Sequence, residues 1–211
     1  MWQTLADYAT LGIESVVGVV GIRLYEEPPY VVRDRVGEAI EVRRYAPRLA
    51  AEAVVTTPGE AGRSEAFRLL FEYIAGANRA APAAKRIAMT TPVDVRAARR
   101  IAMTTPVDVR EDGGVRMQFF LPATRGGDGA PEPTDQRVQI VSVPAEMIAT
   151  LRFSGSGRDM PERQAALLAA LDGSPWQPVG EPYALFYDAP FTLPFVRRNE
   201  AAVRVTSRTP P

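Results

Sequence analysis

Residues 38–75 read EAIEVRRYAPRLAAEAVVTTPGEAGRSEAFRLLFEYIA, and the apolar period changes partway along them. Glu38–Tyr45 alternates, with Ile40 and Val42 on one face, and Leu49–Val55 alternates again after Pro47. Period two over runs of this length predicts strands, and their closeness predicts that they form an antiparallel pair. Thr57-Pro58-Gly59 reads as a turn. From Ser64 to Ala75 the spacing is helical, with Ser64 as the cap and Gly76 and Asn78 as terminators. Phe67, Leu70, Phe71 and Ile74 form one stripe of this helix, widened by Ala66, Leu69 and Tyr73. So wide an apolar arc implies burial on two sides, or one side on a sheet and another on a ligand.

The same order recurs on either side. Tyr30–Arg35 is strand-like, and Val115–Leu121 is a strand after a hairpin signal at Glu111-Asp112-Gly113-Gly114. Residues 123–136, rich in Gly, Pro and Asp, read as an exposed connection. Val138–Val143 and Met147–Ser154 are strands. Met160–Leu171 is an amphipathic helix with Pro161 near its start and Gly173 after its end. Tyr183–Tyr187 and Ala202–Val205 are strands, and DAPFTLPFVRRNE between them reads as a connection. Each half thus runs strand, strand, helix, strand, strand. The expected fold is α+β: a curved antiparallel sheet or barrel with two helices packed on it.

Between the halves, residues 83–96 read AAKRIAMTTPVDVR and residues 97–110 read AARRIAMTTPVDVR. Only Lys85 against Arg99 differs, which marks an in-frame duplication with 97–110 as the inserted copy. Arg86–Val95 and Arg100–Val109 are strand-like, but a proline within each places them at a sheet edge or bulge. Fourteen is an even number, so both copies keep the same alternation and either can occupy one strand position. The other must loop out, extend the sheet or pair with another molecule. A homodimer or strand-swapped oligomer is therefore expected as one outcome, and a solvated bulge as the other.

Composition removes many chemistries. Across 211 residues there is no cysteine and no histidine. That excludes disulfides, thiolate nucleophiles, iron–sulfur clusters, His-based acid–base catalysis and imidazole ligation of zinc or haem iron. Lys+Arg and Asp+Glu are both 25, so no basic excess exists to face nucleic acid, and no nucleic-acid partner is expected. Lys85 is the one lysine beside the arginines, a bias that fits a GC-rich bacterial genome. The acidic pairs Glu26-Glu27 and Glu111-Asp112 read as solvated turns, so an enzyme is not expected.

Residues 1–23 read as an N-terminal helical segment and 24–211 as a single domain. The apolar run Ser15–Ile22 lacks a preceding basic residue and is too short to span a bilayer. Its helix packs on the body, joins an oligomer or touches a membrane surface. The expected location is the cytoplasm.

Several strings together carry a resemblance. They are YEEPPYVV at 25–32, EVRRYAPRLAAEA at 41–53, YIAGAN at 73–78, KRIAMTTPV at 85–93 and MQFFLPA at 117–123. PEPTD at 131–135, FSG at 153–155 and YDAPFTLPFVRRNE at 187–200 follow. In this order they resemble the SOUL family of haem-binding proteins, over roughly 24–205. The family pattern has one IAMTTPV strand, so the second copy departs from it. The resemblance extends to bacterial effector-binding modules that hold apolar drugs. It implies a distorted antiparallel β-barrel of two βαβ-type halves, in agreement with the strand pattern, and haem or a related tetrapyrrole in an apolar groove beside the first helix. Phe67, Leu70, Phe71 and Ile74 would form the platform, unless they are simply core, and Arg68 or Arg86 would meet the propionates. Met89, Met103 and Tyr187 are candidate iron ligands; the alternative is packing for the methionines and a hydroxyl hydrogen bond for Tyr187. Arg197 and Arg198 bond internally to acids such as Asp188, or form an anion site.

Three functions compete. The first is a non-enzymatic tetrapyrrole carrier, buffer or sensor. The second is a general effector-binding module for apolar cations, which needs buried carboxylates such as Glu65 or Glu72. The third is a structural protein that assembles through the extra strand.

Overall fold

A computed structural model describes residues 27–79, 107–111, 113–122, 130–188 and 192–208. The N-terminal segment and the first copy of the repeat lie outside the described residues, as do residues 97–106 of the second. The fold is α+β, a large antiparallel sheet with two helices, and the sheet is open rather than closed into a barrel. The chain divides into two compact units.

The first unit holds residues 1–45, 105–108 and 146–211. Its strands are β1 (Tyr30–Val36), β2 (Ile40–Tyr45), β9 (Glu146–Ser154), β10 (Trp176–Phe186) and β11 (Arg198–Ser207). They are ordered β1-β2-β9-β11-β10. The second unit holds residues 46–104 and 109–145. Its strands include β3 (Arg48–Val55), β6 (Val115–Phe120) and β8 (Val138–Val143), ordered β6-β3-β8, and the short pair β4 (Asn78–Arg79) and β7 (Glu132–Pro133). Strand β5 (Val107–Glu111) is divided between the units at Asp108 and hydrogen-bonds to β6.

One expectation fails here. Strands β2 and β3 do not pair with each other. Strand β2 has β1 on one edge and β9 on the other; β3 has β6 and β8. A strand has only two hydrogen-bonding edges, and all four are taken. Strand β5, from Val107 on, has hydrogen-bonded neighbours on both sides rather than a free edge, while the stretch with Pro106, where a bulge is the other expectation, lies outside the described residues.

Helix α1 (Gly59–Ala75) packs on β3 and β6, and α2 (Met160–Leu171) on β9, β10 and β11. Ser64 is not the cap of α1; the helix starts a full turn earlier, after Pro58. Its first turn sits tight on the chain before it. A Cβ on Gly62 would collide with the Thr57 carbonyl oxygen, so only glycine fits there. The end is as expected: Gly76 takes φ 127°, and the Asn78 side-chain amide donates to the Tyr73 carbonyl at 2.7 Å. Helix α2 has the expected bounds, including its early proline.

Strands β10 and β11 are both longer than expected. Pro178, Gly180 and Pro182 look like breakers, but Pro178 keeps its register opposite Val205, and an irregularity between Val179 and Tyr183 absorbs the other two, with Gly180 at φ 78°. Strand β11 begins at Arg198 because its polar start is paired inside the unit, as described next.

Candidate functional site

Strand β11 carries Glu200 into the interior of the first unit, where it is 0% exposed. A bare carboxylate could not stay there ionised. Arg43, from β2, donates to both of its oxygens, at 2.7 and 3.1 Å. Arg198 donates through Nε and a terminal nitrogen at 2.9 and 2.8 Å. The Tyr187 hydroxyl donates at 2.8 Å. Outward, Arg43 also holds Glu41 and Arg198 also holds Glu27. Both guanidinium groups lie over aromatic rings, Arg43 over Tyr30 at 4.5 Å and Arg198 over Tyr187 at 3.8 Å.

The charges follow from these contacts. Burial alone would raise the Glu200 carboxyl; the bonds and charge of Arg43, then of Arg198, overcome it and hold the group below its ordinary value. Burial pushes the Tyr187 hydroxyl well above its ordinary value, and the Glu200 charge adds to the shift. Burial works against the Arg43 charge as well, but Glu200 outweighs it and raises that group. Each buried charge has a partner, so the cluster has the character of a structural lock.

The lock corrects two details. Arg198 meets Glu200 and Glu27 through its guanidinium, while Asp188 accepts from its backbone N–H at 2.6 Å. Glu27 is drawn into the cluster and is not a solvated turn residue. Arg197 donates to the Thr192 carbonyl.

The second unit shows the opposite arrangement. The buried arc of α1 is Gly62, Ala66, Leu69, Leu70, Tyr73 and Ile74. The stripe expected from the sequence is therefore split. Leu70 and Ile74 face the core. Phe67 lies half-buried on the flank, edge-on to Phe119 of β6 with ring centroids 5.5 Å apart. Phe71, one turn on, stacks on Phe67 at 6.0 Å and remains 48% exposed. Arg68, between them in sequence, is exposed and has no partner among the described residues.

These two aromatics and one arginine are the part of the expected site that the structure brings together. Tyr187 stands apart, 1% exposed, with its hydroxyl committed to Glu200. Arg86, Met89 and Met103 lie outside the described residues. The carboxylates named for a cationic ligand are not buried. Glu65 is half-buried and bonds Thr57 and Arg137; Glu72 is exposed. Glu52 is the buried acid in this unit among the described residues, and it accepts from Arg116 and Gln118. No group of three or more His, Cys, Asp or Glu that could hold a metal occurs among the described residues. None of their helices is long and apolar enough to cross a membrane.

The fold is shared with solved proteins at low identity. The crystal structure of the EcmrR C-terminal domain aligns with TM-score 0.55 at 9% identity, covering 80% of this chain and 97% of that one. EcmrR in a cryo-EM complex with DNA aligns with TM-score 0.54 at 10% identity, covering 98% of this chain and 65% of that one. A hydrolase from Listeria innocua aligns with TM-score 0.52 at 8% identity, covering 80% and 92%. None of the curated proteins matches the sequence. Residues 25–204 do match the sequence model of the SOUL heme-binding proteins, almost the whole chain beyond its N-terminal segment. The chain belongs to the SOUL heme-binding protein family.

Proposed function

We propose that this protein is a non-enzymatic, cytoplasmic binder of haem or a related tetrapyrrole, held against the Phe67–Phe71 flank of α1. One observation carries the reading: a large aromatic ring, Phe71, stays 48% exposed on a helix whose other large apolar side chains are covered or half-covered. A flat apolar ring system stacks on such a face by dispersion and by removing it from water. Arg68 stands beside it with no acid partner among the described residues, ready for a carboxylate at the ring's edge. Family membership supports the ligand class.

The described side chains suit the ring and its carboxylates better than the metal. With no histidine or cysteine in the chain, recognition rests on stacking and on Arg68. When bound, the group supplies a broad apolar plane, its propionate charges and, as haem, a redox-active iron. Phe67 and Phe71 hold the plane, and Arg68 orients its charged edge. The rival reading, an effector module for apolar cations, needs an unpaired buried carboxylate near this face. Glu52 and Glu65 are already engaged and Glu72 is solvated, so an anionic ring is favoured.

The test is an absorbance titration with haemin and, in parallel, with metal-free protoporphyrin. Both are expected to saturate with similar affinity. Arg68→Glu is expected to weaken both. Haemin binding that saturates while protoporphyrin binding does not would replace this reading with one led by iron ligation. Failure of both would remove the tetrapyrrole.

A further inference from the structure

Strand β5 is built from the end of the second repeat copy: Val107, Asp108, Val109 and Arg110, followed by Glu111. Val107, Asp108 and Val109 are 7, 3 and 5% exposed. Consecutive side chains of a strand point to opposite faces, so β5 is covered on both. The position it fills therefore selects these side chains in this order. Val93, Asp94, Val95 and Arg96, at the end of the first copy, are the same four residues in the same order.

We propose that the β5 position is degenerate: the chain exchanges 107–110 for 93–96 there and shifts its register by one repeat. Every side chain the position buries is supplied equally by both copies; the exposed Glu111, which pairs with Arg63, is replaced by Ala97. The residues leading in are equivalent too, Arg86 and Met89 for one state and Arg100 and Met103 for the other. What separates the two states is chain connection, with a small further bias from that solvent-exposed pair.

In the described state, β5 reaches β6 through residues 112–114, a tight turn with Gly113 at φ 65°. In the exchanged state that connection becomes 98–114, while the one arriving from β4 shortens from 80–106 to 80–92. Closure cost grows with the logarithm of loop length, so the first change opposes exchange and the second favours it. The net preference for the second copy is on the order of fivefold. The exchanged state is thus a populated minority.

Folding equilibria in denaturant test this with Val109→Asp, Val95→Asp, the double variant, and Val109→Asp in a chain lacking residues 83–96. A charge at this buried position is expected to lower the folding constant about a hundredfold where no second copy can substitute. In the full chain, Val109→Asp alone is expected to cost only about sixfold, because 93–96 takes over. Val95→Asp alone is expected to cost less than twofold. The double variant and the shortened chain are expected to show the full loss. Val109→Asp in the full chain matching the double variant would overturn the exchange, as would additive effects of the two single changes.

Discussion

Glu200 in the first unit is 0% exposed and takes hydrogen bonds from Arg43, Arg198 and Tyr187; Phe71 in the second unit is 48% exposed and touches one ring, Phe67. A charge has been sealed in and an apolar ring left out. Each runs against the ordinary sorting of residues, but they differ in how far the exception is resolved. Around Glu200 every donor finds an acceptor, and chemistry there would first have to break an ion pair. At Phe71 the ring is left 48% exposed, with Phe67 as its aromatic neighbour among the described residues. A buried polar cluster with its bonds complete points to architecture, whereas an exposed aromatic beside an arginine with no partner among the described residues supports the binding proposed above.

The strongest way to break this contrast is to remove Glu200. Glu200→Ala leaves Arg43 and Arg198 buried without their common acceptor and is expected to destabilise the protein by about 3–5 kcal/mol in urea or guanidinium unfolding. A loss below about 1 kcal/mol would mean that the cluster is not the lock described here.

Acidity offers a second test of the same cluster. The Glu200 carboxyl titrates below its ordinary value when folded, so its contribution is present above about pH 4.3 and is lost as pH falls through the folded value. Tyr187 titrates above its ordinary value when folded, so its contribution is present below about pH 10 and is lost as pH rises beyond it. Stability should be flat between these limits and fall at both ends. Tyr187→Phe should cost about 1.5–3 kcal/mol at neutral pH and flatten the alkaline fall. An unchanged alkaline limb in that variant would assign the fall to other groups.

Phe71→Ala sharpens the other side. Truncating so exposed a side chain should change stability by about 0.5 kcal/mol or less, while haemin affinity falls roughly tenfold. The reverse pattern, a large stability loss with unaltered binding, would make Phe71 a core residue.

The smallest effect belongs to the solvated ion pairs of the second unit. Asp135 is held down to about 2 by hydrogen bonds from Arg137, yet both groups are open to water. Asp135→Asn should cost less than about 1 kcal/mol, and less again in high salt. A cost that persisted in high salt would show that exposure is a poor guide to what such charges contribute.

Much of the fold was legible because local signals carry it. Met160–Leu171 and Val138–Val143 have the bounds their patterns predict, and Gly76 ends α1 as its position implies. Alternation marks a strand but does not name its neighbours, and so β2 and β3 were paired wrongly. The site was half legible. Helical spacing brought Phe67 and Phe71 to one flank. Their separation from Leu70 and Ile74 depends on which face the sheet covers. The Glu200 cluster gave one sign, the adjacent Arg197 and Arg198 just before Asn199-Glu200, which pointed to internal pairing but not to the right acid.

By composition and order alone, this chain is an α+β protein without thiol or imidazole chemistry, a member of one family by its motifs, and a carrier of one strand twice. These properties follow from which residues are present and how they repeat, and no folding can alter them. Tertiary structure alone decided that Arg43 reaches Glu200 across 157 positions of sequence, that Tyr187 is spent on that carboxylate, and that Phe71 is left to water. The reason is physical: burial and pairing are properties of the neighbours a residue acquires, and those are chosen by the packing of distant segments.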